Sequence, residues 1–274
     1  MEISLLTQSW HTCSGVLGSV SLNMELEHCV SAGVISSGPR RMYDWARASI
    51  NERGLLTTLS VAFSAVVDLT FDWRHGTDTA RIVPIGEMNI RSENTAHAVH
   101  YQATKARPLA KLLRRLRFPE GSVFVDFGSG KGRVLLLAAR EKFKRVVGVE
   151  FSPDLCAVAR QNVELFRRKH PSLAAVEIIE ADATSYQVRP DENVFFLFNP
   201  FDEVILAKVM QRIGESLAAH PRAAWMIYGT PRHARVVDEA GCFSSHQTLY
   251  FGGMEFRIYA NQAASSVARG AEKS

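Results

Sequence analysis

Buried strands alternate with amphipathic helices from Ser122 to Ala260, and no other feature of the sequence restricts the fold as much. Strands that are joined through helices pair in parallel, and the helices then cover both faces of the sheet. Two strands near the C-terminus meet at Gly252-Gly253 without a helix between them, which predicts one antiparallel strand at the sheet edge. The sequence therefore predicts an α/β fold with a mainly parallel sheet.

Hydrophobic periodicity and turn residues set the bounds of each predicted element. Strands are predicted over residues 122–127, 145–150, 176–180, 193–198, 223–228, 245–251 and 254–260. Helices are predicted over residues 103–118, 131–141, 153–169, 202–220 and 231–240. Upstream, residues 40–71 are predicted to be helical with a break at 51–54, a turn-prone polar stretch follows at 71–79, and residues 82–85 are predicted to form an edge strand.

Composition and residue spacing do not indicate nucleic-acid binding, a membrane span, disulfides or a metal site. The formal net charge of +4 is too small to indicate nucleic-acid binding, and the helix face from Lys105 to Arg117 is either a solvated basic face or a docking surface. The uncharged run from Gly54 to Val67 is too short and too polar to predict a membrane span. Four widely separated cysteines are typical of reduced thiols, and with no basic leader they predict a cytoplasmic protein. His97 and His100 have no third ligand nearby, so no metal site is predicted.

The first strand runs into a glycine-rich turn, Asp126-Phe127-Gly128-Ser129-Gly130-Lys131-Gly132-Arg133, and then into a helix. Glycines let a ligand approach the backbone, and a helix N-terminus presents free N–H groups. A phosphate-binding loop is excluded because the required Ser/Thr after the lysine is missing, and Gly132 stands there. A dinucleotide fingerprint is disfavoured because Arg133 occupies the position of its third glycine.

Three acidic residues follow successive strands and favour a different ligand. Asp126 can accept hydrogen bonds from an amino-acid ammonium group, Glu150 can accept both hydroxyls of a ribose, and Asp182 can accept from the amine of adenine. Each acid alone could simply cap the next helix or turn. Together they describe S-adenosylmethionine, with S-adenosylhomocysteine as the product.

Four segments, VDFGSGKGR, VVGVEFSPDL, IIEADAT and FFLFNPF, resemble the class I S-adenosylmethionine-dependent methyltransferases. Within them, the glycine turn, Gly148-Val149-Glu150 and Asn199-Pro200-Phe201 are similar to the non-SET histone-lysine methyltransferases and related bacterial enzymes. The resemblance implies a Rossmann-like seven-stranded sheet with an antiparallel last strand. It implies a methyltransferase domain over residues 101–262. Residues 1–100 lie outside the resemblance and are predicted to form a mostly helical cap, and the small and polar residues 263–274 are predicted to be a disordered tail.

The resemblance also implies which residues form the site. The predicted cofactor-binding residues are Asp126, Gly128, Ser129, Gly130, Gly132, Glu150, Phe151, Asp182, Ala183 and Asn199, together with Tyr101 and Thr104 over the methionine end of the cofactor. The predicted catalytic residues are Asn199, Pro200, Phe201 and Tyr101, with Tyr228 and His97 as further candidates to line the pocket or assist deprotonation.

The turn Asn199-Pro200-Phe201 follows the fourth strand, where the reactive methyl group is expected. It resembles the signature of amino-group methyltransferases but has one proline fewer, which makes a nucleobase amine a poorer candidate. Its amide oxygen and a carbonyl can accept hydrogen bonds from an amine, and Phe201 can lie against a cationic one. Alternatively, the turn only leads the chain into the next helix, with Asp202 as the cap.

The predicted function is transfer of a methyl group from S-adenosylmethionine to an amine, with a protein lysine as one candidate acceptor. An O- or N-methyltransferase of a small molecule or a sugar-containing metabolite is the alternative within enzymes. A non-catalytic cofactor-binding scaffold is the alternative of another class.

Overall fold

The structure is a computed structural model that describes residues 70–80 and 104–265, together with scattered positions between 43 and 59. The chain divides into two units between Thr58 and Leu59, and the account below concerns the second. Several predictions lie outside the described residues: those for residues 1–42, the edge strand at 82–85, and the roles of His97, His100 and Tyr101.

The described part of the second unit alternates strands and helices as predicted. The helices are α1 (Ala106–Arg115), α2 (Arg133–Ala138), α3 (Pro153–Lys169), α4 (Glu203–Ala219) and α5 (Ala234–Glu239). The strands are β1 (Val123–Phe127), β2 (Arg145–Glu150), β3 (Ala175–Glu180), β4 (Glu192–Leu197), β5 (Trp225–Gly229), β6 (Ser245–Phe251) and β7 (Met254–Ala260). Residues 71–75, predicted as part of a turn-prone stretch, are helical.

These strands form one seven-stranded sheet in the order β3-β2-β1-β4-β5-β7-β6. β1 to β5 are parallel, and β7 is antiparallel to both of its neighbours. The antiparallel last strand is confirmed, but its predicted place at the edge is wrong, because β7 inserts between β5 and β6. The strand order reverses between β1 and β4, and ligands of open α/β sheets bind at that reversal, outside the carboxyl ends of the strands.

Alternating side chains of the buried strands fill two cores, one on each face of the sheet. Phe124 and Phe196 belong to the core under α1, α2 and α3, whereas Val125 and Phe127 belong to the core under α4 and α5. Burying one such side chain contributes about 1.5–3 kcal/mol, so this two-sided burial determines the register of the central strands.

Local capping explains where the helices begin. Ser152 accepts a hydrogen bond from the Leu155 N–H, and Asp202 accepts from the N–H groups of Val204 and Ile205. The predicted cap at Asp202 is therefore confirmed. Helix α2 begins at Arg133 and not at the predicted Lys131, because Gly132 has the left-handed backbone conformation.

The C-terminal end differs from the prediction. Residues 262–265 are helical, so the first three residues of the predicted disordered tail are ordered. Ala264 is fully buried in the core that contains Phe124. No helix among the described residues is long and apolar enough to cross a membrane.

Candidate cofactor and methyl-acceptor site

The glycine turn after β1 is fastened to the end of β2. The N–H groups of Gly128 and Ser129 both donate to the carbonyl oxygen of Val149, at 2.9 and 3.2 Å. Gly128, Gly130 and Gly132 have positive φ angles of 76°, 52° and 84°. A side chain is strained in that conformation, so the turn has this shape because glycines stand at these positions.

Glu150, at the end of β2, holds the same turn from the side. One carboxylate oxygen accepts from the Gly130 N–H at 2.8 Å and the other accepts from the Ser152 N–H at 3.0 Å. Burial raises the pKa of this carboxyl group, and the backbone hydrogen bonds oppose that rise. Each carboxylate oxygen has a second lone pair, so Glu150 can accept two further hydrogen bonds, as the predicted ribose contact requires. Phe151 follows and is half-buried.

Asp126 and Ser129 carry buried polar atoms that have no partner. Oδ2 of Asp126 and Oγ of Ser129 make no hydrogen bond, and both residues are less than 5% exposed. Burial raises the pKa of Asp126 well above its usual value, and the nearby Glu150 carboxylate raises it further. An unsatisfied buried polar group costs about 1–3 kcal/mol, more when charged. A ligand ammonium group would satisfy Asp126, so these residues fit the amino-acid end of S-adenosylmethionine.

Asp182 follows β3 and shapes its own turn. Its Oδ1 accepts from both the N–H and the hydroxyl of Thr184, at 2.8 and 2.7 Å. Ala183 is buried against the core that contains Phe127. Capping of the local turn, which the sequence left open as an alternative, is therefore present, and the predicted adenine contact would add to it.

The turn Asn199-Pro200-Phe201, which we call the acceptor-side turn after its predicted role, touches the glycine turn directly. A Cβ atom placed on Gly128 would lie 2.4 Å from Cβ of Pro200, so only glycine fits against the proline ring. Phe201 is half-buried and packs against the core under α4 and α5. The fold thus places the end of β4 against the end of β1, as their positions beside the strand reversal require.

Asn199 and Thr230 are the described non-glycine residues with positive φ, at 45° and 48°. They follow β4 and β5, which are neighbouring strands. The Asn199 amide nitrogen donates to the Thr230 carbonyl, and its oxygen accepts from the Arg232 N–H at 3.3 Å. Strained backbone of this kind is concentrated at functional sites. Through these bonds Asn199 joins the turns after β4 and β5, a contact that the local sequence does not indicate.

From the sequence alone, Lys131 and Arg133 could either bind an acidic substrate or cap and solvate the end of the helix. Instead both are buried, 2% and 3% exposed, and bind residues 70–80, which we call the clasp. Lys131 Nζ lies 3.0 Å from a carboxylate oxygen of Asp78, and Arg133 Nε donates to the Thr79 hydroxyl at 2.7 Å. The hydrogen-bonding groups of the clasp were evident in the sequence, but no local pattern identified their partners.

Two further candidates can now be placed. Tyr228 is 1% exposed and its hydroxyl accepts from the His233 N–H at 3.4 Å. Burial raises the pKa of Tyr228 to about 12, which makes it a poor base near neutral pH. Thr104 is buried, and its carbonyl oxygen lies 3.5 Å from the Arg133 guanidinium. In the described part of the chain, no three His, Cys, Asp or Glu side chains come together in a way that could hold a metal ion.

Comparison with known proteins agrees with this geometry. Residues 82–186 match the family model "Histone methylation protein DOT1". Over 119 residues the chain is 32% identical to a trans-aconitate 2-methyltransferase of Escherichia coli, a match that covers 39% of this chain and 47% of that protein. Over 85 residues it is 34% identical to an H3 lysine-79-specific histone-lysine N-methyltransferase of Dictyostelium discoideum, covering 28% of this chain and 5% of that protein.

The chain thus spans about half the length of the first relative and far less of the second. Among solved structures it is similar to the pyocyanin biosynthetic protein PhzM, with 15% identity, a TM-score of 0.46, and coverage of 57% of this chain and 54% of that one. Strand order, the glycine turn with its acidic partners, and the matches to two methyltransferases agree with one another. Over the matched residues the chain is similar to the class I methyltransferases, whose cofactor is S-adenosylmethionine.

Proposed function

We propose that this protein transfers a methyl group from S-adenosylmethionine to an amine, and that the acceptor is a lysine side chain of a protein. The observation that carries the proposal is the contact between Pro200 and Gly128, which puts the acceptor-side turn against the turn that would seat the methionine end of the cofactor. The similarity to a histone methylation family and to a histone-lysine N-methyltransferase supports a lysine acceptor.

S-adenosylmethionine supplies an electrophilic methyl group on a sulfonium. The amine lone pair forms the new N–C bond, the C–S bond breaks with its electron pair going to sulfur, and the amine proton leaves to solvent. Alignment of two reactants in this way can contribute about 7–11 kcal/mol. In this chain Asp126 would hold the ammonium, Glu150 the ribose and Asp182 the adenine, while the Asn199 bridge fixes the turn that receives the amine.

A small-molecule acceptor is the second candidate. The similarity to an enzyme named for trans-aconitate favours it, and that match is slightly longer than the match to the histone methyltransferase. A scaffold that binds the cofactor without turnover is the remaining alternative, and a labelling experiment separates all three.

The test begins with calorimetry of S-adenosylhomocysteine binding to the full chain, followed by incubation of a cell lysate with the protein and methyl-labelled S-adenosylmethionine. We expect label in the protein fraction that acid hydrolysis converts to methyllysine. Label confined to metabolites would favour the small-molecule enzyme, and cofactor binding without label would favour the scaffold. Absence of cofactor binding would refute the proposal.

Asn199→Ala is the matched variant. Asn199 joins the turn after β4 to the turn after β5, and among the described residues it has no hydrogen bond to the glycine turn. We expect S-adenosylhomocysteine affinity within about twofold of wild type, and a methyl-transfer rate at least about tenfold lower, the cost of a misplaced acceptor. Equal losses of affinity and rate would contradict a role on the acceptor side.

A further inference from the structure

Asp72 organises the clasp, residues 70–80, which consists of a short helix over 70–75 and the loop that follows it. Its Oδ1 accepts from the hydroxyls of Thr77 and Thr79, at 2.7 and 2.6 Å. Its Oδ2 accepts from the N–H groups of Thr79 and Ala80, at 2.9 and 2.6 Å. One carboxylate thus receives four hydrogen bonds from residues five to eight positions later, which determines where the Thr79 side chain lies.

Thr79 connects this loop to the helix that follows the glycine turn. The side chain is fully buried, donates to Asp72, and accepts from Arg133 Nε. The Arg133 guanidinium also lies 3.5 Å from Asp72 and 5.3 Å above the ring of Phe71. A buried charge is stable only when it is paired, so the guanidinium and the clasp depend on each other.

Asn162, on α3, is hydrogen-bonded both to the clasp and to the glycine turn. Its amide nitrogen donates to the carbonyl oxygens of Asp78 and Lys131, at 3.0 and 2.9 Å, and its oxygen accepts from the Asp78 N–H at 2.8 Å. Lys131 Nζ pairs with the Asp78 carboxylate as well. Both residues that flank Gly132 therefore bind the clasp, Lys131 through its ammonium group and Arg133 through its guanidinium, and the Lys131 carbonyl is held by Asn162.

We propose that the clasp sets the affinity of the glycine turn for the cofactor, with Thr79 and Arg133 as positioning residues that touch neither cofactor nor acceptor. The proposal rests on the proposed function, since it assumes that this turn seats the amino-acid end of S-adenosylmethionine. A turn with three left-handed glycines has many accessible conformations, and restricting it beforehand removes part of the entropic cost of binding.

The coupling between order in the clasp and cofactor affinity has an expected size and acts in both directions. Ordering one backbone residue changes an equilibrium constant by about tenfold. Because linkage is symmetric, a cofactor that binds the ordered turn must also stabilise the clasp. We therefore expect S-adenosylhomocysteine to slow amide hydrogen exchange at Thr79 and Ala80, whose N–H groups donate to Asp72.

The test uses the full chain and calorimetry with two ligands. S-adenosylhomocysteine reaches the glycine turn through its amino-acid part, whereas 5′-methylthioadenosine lacks that part. Thr79→Val removes the hydroxyl at nearly constant volume, and Thr79→Ser retains it. We expect Thr79→Val to weaken S-adenosylhomocysteine about tenfold, corresponding to one freed backbone residue. We expect Thr79→Ser to stay within about twofold, and 5′-methylthioadenosine to stay within about twofold for both variants.

Wild-type affinity for S-adenosylhomocysteine in Thr79→Val, or an equal loss of both ligands, would overturn the proposal, because a purely structural defect lowers both affinities together. If Thr79→Val is unfolded at the assay temperature, Lys131→Met is measured instead, with an expected loss of about three- to fivefold for S-adenosylhomocysteine alone, and wild-type affinity again overturns the proposal. Failure of the wild type to bind either ligand would refute the proposed function itself, and the clasp's role with it.

Discussion

The contact between the two turns of the site can be tested by placing one methyl group in it. In Gly128→Ala, the new Cβ would stand 2.4 Å from Cβ of Pro200, and the backbone would have to keep a φ of 76°. The left-handed conformation costs a non-glycine residue about 1–2 kcal/mol. Overpacking a tight contact costs about 1–3 kcal/mol more. We therefore expect the free energy of unfolding to fall by about 2–5 kcal/mol.

Gly121 provides the matched control, because it has a φ of 83° and nothing within 4 Å of its added Cβ. Gly121→Ala should lose only the backbone contribution, about 1–2 kcal/mol. Urea unfolding followed by circular dichroism measures both variants, and calorimetry should show lost cofactor affinity in Gly128→Ala alone. Adding Pro200→Gly to Gly128→Ala should recover about 1 kcal/mol or more, as a coupled pair does. Equal destabilisation by the two alanines would refute the proposed contact.

Three further predictions follow from the buried titratable groups. Glu150→Gln puts an amide donor against a backbone N–H, so calorimetry should show S-adenosylhomocysteine binding about ten- to a hundredfold weaker; unchanged affinity would remove Glu150 from the site. Asp126 has a pKa raised by burial and by Glu150, so its destabilising effect grows as the pH rises above about 4. Asp126→Asn should therefore raise the free energy of unfolding by about 1–3 kcal/mol at pH 8, and this gain should vanish towards pH 4. Cofactor affinity should fall in the same variant. A gain in the free energy of unfolding that does not depend on pH would contradict the raised pKa of Asp126. The pKa of His75 is lowered to about 4 by burial and by His170, Arg140, Arg74 and Lys169, so the free energy of unfolding should fall as the pH drops from about 6.5 towards 4. His75→Phe should flatten that slope by up to about 1.4 kcal/mol per pH unit. Urea unfolding across this pH range measures the slope, and an unchanged slope would exclude His75 as its source.

Much of the fold was predictable because its signals are local. The bounds of β2, α3, β6 and β7 agree with the prediction, since each element ends at a clear turn residue or a change in hydrophobic period. Which strand of the β6–β7 hairpin pairs with β5 is a long-range choice, and the alternation of side chains does not reveal it. The prediction failed there for that reason.

The site shows the same division between local and long-range information. The glycine turn and the acids after β1, β2 and β3 follow from sequence order and strand placement. By contrast, the clasp is hydrogen-bonded to residues more than 50 positions later in the chain, and the Asn199 amide nitrogen donates to the Thr230 carbonyl after the neighbouring strand. Hydrogen bonds between distant polar residues leave no periodic signal, so the sequence does not reveal that Arg133 is buried and bonded to the clasp.

The insertion of β7 between β5 and β6 has a consequence for the order in which the protein is assembled. During synthesis β6 emerges before the strand that joins it to the sheet, so a growing chain that has reached Phe251 exposes two unpaired strand edges, β5 and β6. Unpaired edges invite association with other chains. A single late event, the docking of Met254–Ala260, closes both edges at once. Sheet completion is thus expected to be the slow, non-local step of folding and the stage at which a nascent chain most needs protection.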